Sequence, residues 1–227
     1  MIQLSERSSR IVDFSVKGQR CIDRCDADEA FVQDFSVQVR SPGLFRIEIA
    51  APHTVITFDG KEQVTVQHEA RTVQRVQVAG QQDEKALAPY QTLSAFLVEG
   101  WRPPLLATTG EVPARLEATA QGGPQVVLER PLQDTELARV EYWHRMHKGD
   151  FVRKRFMARD GTVVKEIAVE REHTDARTGY SFPLSWKVKG ADGAVISWTK
   201  LGEVQINAGV PRTAFEPSVP DGFTPLP

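Results

Sequence analysis

Apolar and polar residues alternate along much of the 227-residue chain, and the alternation is clearest in SPGLFRIEIAAPHTVITFDGK, residues 41–61. Phe45, Ile47 and Ile49 are separated by Arg46 and Glu48, and beyond Ala51-Pro52 the pattern resumes with Ile56 and Phe58. Side chains on a strand point to opposite faces in turn, so a period of two marks a sheet with one wet face and one apolar face. Asp-Gly pairs stand at 59–60, 160–161, 192–193 and 221–222, the first three between runs of this kind. A glycine after aspartate tolerates the positive φ of tight hairpin turns, which predicts a meander of antiparallel strands.

The pattern predicts strands over about residues 10–18, 31–40, 44–50, 53–59, 62–68, 72–79, 114–120, 125–130, 137–146, 150–159, 162–172, 179–189, 194–206 and 212–216. In YSFPLSWKV, Tyr180, Phe182, Leu184, Trp186 and Val188 share one face, so this strand curves over something apolar. Pro183 has no N–H to donate and marks an edge or a bulge. Helix is expected in LAPYQTLSAFLVEG, residues 87–100, where Pro89 suits a first turn, Tyr90, Leu93 and Leu97 share a face and Gly100 ends it. Residues 2–9 are a second helical candidate, and 101–110 reads as an irregular connection. A sheet of this many strands with one or two helices closes, stacks, or curls beneath the helices, and the last arrangement makes a cavity.

Composition narrows the function. The chain is 41% hydrophobic, enough for a core, and its net charge of -2 with a pI near 6.2 gives no global attraction to nucleic acid or an anionic membrane. No run approaches the roughly 18 apolar residues of a membrane span, and MIQLSERSSRIVDF lacks the features of a signal peptide. The expectation is therefore a cytoplasmic protein or one whose leader is absent from this sequence. Cys21 and Cys25 read either as free thiols in a turn or as a short disulfide across it. The neighbouring Asp23, Asp26 and Asp28 are poor partners for a thiolate-preferring metal.

Between residues 143 and 159, Arg145, Lys148, Arg153, Lys154, Arg155 and Arg159 face Asp150 alone. They form either a patch for anionic headgroups or an acidic partner, or the solvent face of alternating strands. His144 and His147 would point to opposite faces of a strand, so no metal is expected. The sequence has no nucleophile elbow, HExxH motif or glycine-rich phosphate loop, so neither an enzyme nor a cofactor is expected.

VRSPGLFRIEIAAPHTVITFDGKEQVTV and AFEPSVPDGF, with DGTVVKEIAVE between them, resemble in their order the LolA-type lipoprotein carriers, which ferry acylated lipoproteins between bacterial membranes. The resemblance covers about half of the chain, and the segment from about 101 to 159 is longer than the simplest members have. It implies a mainly β (α+β) fold over residues 1–227: one strongly bent, open antiparallel half-barrel, with a few helices covering its concave apolar face. It implies that Phe45, Ile47 and Ile49 line the concavity. By pattern, Ile56, Phe58, Val64 and Val66 are candidates for neighbouring rows. Tyr90, Leu93 and Leu97, with Phe96 beside them, are the candidate lid, and Leu184 and Trp186 complete the lipid-binding set. In the family a basic residue directly precedes the proline and latches the lid; here Ser41 stands in that place and Arg40 one earlier, on the opposite face of a strand.

The function implied is non-covalent binding and carriage of lipid or acylated lipoprotein in the bacterial envelope. The protein would be periplasmic, or attached to the outer membrane on its periplasmic side. Inner- and outer-membrane sorting proteins are expected partners, and a monomer is the expected state. An envelope-stress sensory or protein-interaction module on the same fold is the alternative. An outer-membrane receptor of the LolB type is third, disfavoured because the AAPH connection, residues 50–53, is short and carries no exposed leucine.

Overall fold

A computed structural model describes residues 11–22, 25, 30–40, 43–78, 92–93, 96–97, 114–119, 123–131, 136–145, 151–179 and 181–226. The expected helix at 2–9, the connection at 101–110, Tyr90, Lys148 and His147 lie outside these residues. No helix among the described residues is long and apolar enough to cross a membrane.

The described strands are β1 (Asp13–Cys21), β2 (Val32–Arg40), β3 (Leu44–Ile49), β4 (Thr54–Phe58), β5 (Glu62–Gln67) and β6 (Thr72–Gln77), then β7 (Ala114–Thr119), β8 (Gly123–Pro131), β9 (Leu137–Arg145), β10 (Phe151–Ala158), β11 (Val163–Thr174), β12 (Ser181–Gly190), β13 (Val195–Ile206) and β14 (Thr224–Leu226). They form one sheet in the order β14-β6-β5-β4-β3-β2-β1-β13-β12-β11-β10-β9-β8-β7. Two antiparallel meanders, β1 to β6 and β7 to β13, are joined by the pairing of β1 with β13. With β14 and β7 at its two ends the sheet stays open, the half-barrel that the resemblance implied.

The hairpins form where their turn chemistry says they should. Asp59 Oδ1 accepts hydrogen bonds from the backbone N–H groups of Lys61 and Glu62, each 2.8 Å, while Gly60 takes φ +95°. Asp160 and Asp192 hold Thr162 N–H and Ala194 N–H in the same way at 2.8 and 3.0 Å. Pro183 sits not at an edge but opposite a bulge: the register between β11 and β12 slips around Arg171 and Glu172, where no regular ladder needs the missing N–H.

Three details depart from the expected elements. The first strand runs to Cys21 rather than ending near residue 18. The stretch expected as a strand at 212–216 is a short 3-10 helix over Arg212–Phe215, which drives Phe215 into a small cluster with Leu44 and Val210. The last strand is β14, which lies parallel to β6, with Thr224 opposite Thr72.

The two faces are covered differently. Register places Phe14, Val39, Phe45, Phe58, Gln63 and Val76 in one transverse row, and Val16, Val37, Ile47, Ile56, Thr65 and Gln74 in the next. Their apolar members belong to the main core cluster, on what is hereafter the inner face. The opposite, outer face of the first meander is covered by the C-terminal chain: Val219 and Phe223 pack on Val64, Val66 and Val73. Strand β4 has cover on both sides, so all five of its residues are buried.

Candidate functional site

The inner face is built by alternation carried across strands. Phe45 meets Phe58 with ring centres 5.5 Å apart, and Ile47 stands between Val37 and Ile56. Phe45 and Ile47 are fully buried. From the second meander Phe182, Trp186 and Val188 join the same cluster, with Leu184 packed against it.

What fills the hollow is the chain itself. Leu93, Phe96 and Leu97, from the segment expected to be a lid, are buried in the main cluster. Leu93 accepts backbone hydrogen bonds from Phe96 and Leu97, both 3.1 Å, so the segment makes a helical turn there. The Phe96 ring meets Phe35 edge-on at 5.3 Å, and the Arg20 guanidinium lies 3.8 Å from its centre. Arg20 is steadied by Gln33, whose Oε1 accepts from its Nε at 3.0 Å and whose Nε2 donates to Ala51 O at 3.3 Å. Burial lowers the Arg20 pKa to about 10, still charged at neutral pH, so the contact is a cation over an aromatic face.

The candidate lipid-binding residues thus divide. Phe45, Ile47, Ile49, Ile56, Phe58, Leu93, Leu97 and Trp186 lie in one cluster, with Leu184 against it. Val64 and Val66 do not: they stand opposite Thr57 and Val55 on the outer face, beneath the C-terminal chain. The turn after Phe58 changes the parity, so Gln63 and Thr65 take the inner positions in β5. Tyr90 lies outside the described residues. Arg40 donates to the carbonyl of Val210 and so holds the C-terminal chain.

Sequence reasoning missed Phe35 and Arg20 as partners of the lid segment; the alternation of β1 and β2 was the available signal. It also misjudged one member of the basic run. Arg153 and Arg155 do stand on the outer face, over the Trp143 ring at 5.7 and 5.2 Å and paired with Glu166. Lys154, between them, must point the other way. It lies on the inner face opposite Tyr142 and Ile167 and is 2% exposed. Its Nζ is 4.5 Å from the centre of Phe156 and 5.2 Å from that of Tyr142. Lys165, opposite Phe156, places its own amine 5.4 Å from the same ring. Burial, and secondarily the like charge of Lys165, lower the Lys154 pKa to about 7.

On the outer face a groove of about 520 Å³ opens over β1, β2 and β13, where Lys17, Ser36 and Glu48 form one row and Asp34 and Lys200 flank Gln19. Its rim carries Lys17, Asp34, Glu48 and Lys200, and Phe35, Ala50 and Leu201 are also among its lining residues. Cys21 and Cys25 are joined as a disulfide in the structure. No cluster of three or more metal-ligating side chains is found among the described residues.

No family model and no curated protein matches the chain. Solved structures do. A protein domain described as outer membrane lipoprotein-sorting, from Vibrio parahaemolyticus, superposes with a TM-score of 0.62 at 11% identity over 95% of both chains. A DUF1329 family protein from Desulfovibrio piger gives 0.63 at 12%, over 93% of this chain and 92% of that one. A LolA superfamily protein from Nitrosomonas europaea gives 0.58 at 15%, over 95% of both chains. At such identities the likeness speaks for architecture alone: the chain has the LolA-like fold.

Proposed function

We propose that this protein binds lipid or the acyl chains of a lipoprotein on its inner face and carries them, without catalysis, in the bacterial envelope. The observation that supports this best is the apolar cluster that joins Phe45 to Trp186 and includes Leu93, Phe96 and Leu97 of the lid segment. Cargo would take the place of that segment. Burying an acyl chain is worth about 0.8 kcal/mol per methylene, so an always-open hollow would hold cargo too tightly to release it. A lid that buries Leu93, Phe96 and Leu97 when cargo is absent offsets part of that gain. The likeness to a lipoprotein-sorting domain supports the reading, and the Cys21–Cys25 disulfide suits an oxidising compartment such as the periplasm.

The test is native mass spectrometry of protein purified from membrane-containing cells, with lipid extraction in parallel. Wild type is compared with Phe96→Ala, which loosens the lid, and Phe45→Glu, which charges the wall beneath it. Co-purifying lipid that increases with Phe96→Ala and disappears with Phe45→Glu is the expected result. Protein that is empty in all three forms, and that takes up no added lipid, would sink the carrier reading and turn attention to protein partners. Circular dichroism of each variant separates loss of binding from loss of fold.

A further inference from the structure

The groove on the outer face over β1, β2 and β13 exists because of side-chain size: Ser36, Ala50 and Gly202 leave a hollow among longer neighbours. Register sorts the charges around it. One transverse row runs Lys17, Ser36, Glu48, and the next runs Lys200, Gln19, Asp34. In both rows the cation and the carboxylate stand two strands apart, with an uncharged polar group between them. Both rows point the same way, with the lysines toward β13 and the carboxylates toward β3, so the groove has a positive wall and a negative wall. Among the described residues neither lysine is ion-paired: Lys17 has no charged partner, and the Lys200 amine lies 4.7 Å from the centre of the Trp198 ring. On the other wall Asp34 Oδ1 accepts from Gln19 Nε2 at 2.8 Å, and Glu48 lies 3.4 Å from His53 Nε2 and 3.8 Å from Arg46. A carboxylate accepts several hydrogen bonds, so Asp34 keeps capacity for more.

We propose that this groove binds a short zwitterion, a primary ammonium joined to a phosphate or carboxylate, with its anion against Lys17 and Lys200 and its ammonium against Asp34 and Glu48. Two inter-strand steps of about 4.8 Å, less a hydrogen bond of about 2.8 Å at each end, leave about 4 Å between the charges of the ligand. Phosphoethanolamine and short amino acids have that span. A ligand with both charges meets both walls, whereas a plain anion or a plain amine is attracted by one wall and repelled by the other. The volume of about 520 Å³ is in the range of small-molecule sites. The same chemistry occurs free in solution and in the headgroup of phosphatidylethanolamine. Because the groove lies on the opposite face from the apolar cluster, this inference stands or falls apart from the lipid-carrier reading.

The experiment is a calorimetric titration of the full chain, at low salt, with phosphoethanolamine, phosphocholine, inorganic phosphate and ethanolamine. Phosphoethanolamine should bind at least about fivefold tighter than phosphate or ethanolamine, the scale of one additional exposed ion pair. Phosphocholine should bind no tighter than phosphate, because its quaternary ammonium has no N–H to donate to Asp34. Lys17 and Asp34 are both exposed, and Lys17→Gln and Asp34→Asn should each weaken phosphoethanolamine about fivefold. Sedimentation with phosphatidylcholine vesicles, with and without phosphatidylethanolamine, separates the two sources of the ligand.

Selective binding of phosphoethanolamine that both substitutions weaken supports the site. Co-sedimentation only with vesicles that contain phosphatidylethanolamine, removed by Lys17→Gln, then assigns it to a lipid headgroup, and its absence assigns it to a free zwitterion. No binding of phosphoethanolamine overturns the inference. Phosphate binding as tightly as phosphoethanolamine would make the groove a simple anion site and overturn it too, as would an affinity unchanged in both variants. If circular dichroism shows that either variant does not fold, Lys200→Gln takes its place in the comparison.

Discussion

The two meanders solve the same packing problem with different inner surfaces. In the first, Phe14, Val39, Phe45 and Phe58 form a dry row, and the outer side of β5 and β6 is covered by Val219 and Phe223 of the C-terminal chain. In the second, Tyr142, Lys154 and Ile167 form a row with an amine at its centre, and the outer face carries arginine and glutamate pairs around Trp143. In the first half strand β4 is buried on both sides. Both halves hold a cation against rings of the inner face, Arg20 over Phe96 in the first and Lys154 beside Tyr142 and Phe156 in the second, and burial lowers the pKa of each.

The comparison is broken most directly at Phe45. Phe45→Ala empties a fully buried site, so a loss of about 3–5 kcal/mol is expected in denaturant unfolding, much as for other buried aromatic rings. In the second meander Lys154→Met exchanges a buried amine for an apolar side chain of similar shape. The pH dependence sharpens this. The Lys154 pKa is lowered to about 7 in the folded protein from 10.5, so the unfolded chain binds the additional proton between those values. Its contribution to stability therefore rises as pH climbs from about 7 toward 10.5, and the cost is full below about 7. Lys154→Met should abolish that slope, which unfolding curves at pH 6, 8 and 10 would detect.

At the seam between the halves, a Cβ on Gly18 would lie 2.8 Å from Lys200 O and 2.9 Å from the Phe35 ring. Gly18→Ala should cost about 1–3 kcal/mol by overpacking, and an unchanged Tm would show that the seam yields. The smallest effect is expected on the rim of the first meander, where the half-exposed Arg75 pairs with Glu62 at 2.7 Å. Arg75→Ala should change stability by no more than about 1 kcal/mol, less in high salt.

Much of the fold was legible because hairpin grammar is local. Alternation located strands β2 to β13 to within a few residues, and aspartate followed by glycine marked three of their turns. What failed was parity carried through a turn. Val64 and Val66 alternate as cleanly as Ile56 and Phe58, yet the turn at 59–61 decides which set faces inward, and here it is Gln63 and Thr65. Lys154 was hidden by its neighbours, since a run of basic residues suggests solvent although three consecutive residues of a strand cannot share a face. The pairing of β14 with β6 depends on contacts across more than 140 positions and has no periodicity to announce it.

The seam itself carries a consequence for how the chain acquires its shape. Val12 N–H donates to Asn207 Oδ1, at 2.7 Å, across 195 positions of sequence, whereas the pairings within each meander join near neighbours. Loop closure becomes costlier as the separation grows, and folds rich in such distant pairings form slowly. During synthesis β1 has no β13 to pair with until residues 195–206 have emerged, and an unpaired strand edge invites other chains. Truncation before residue 195 would leave both meanders with an open inner edge.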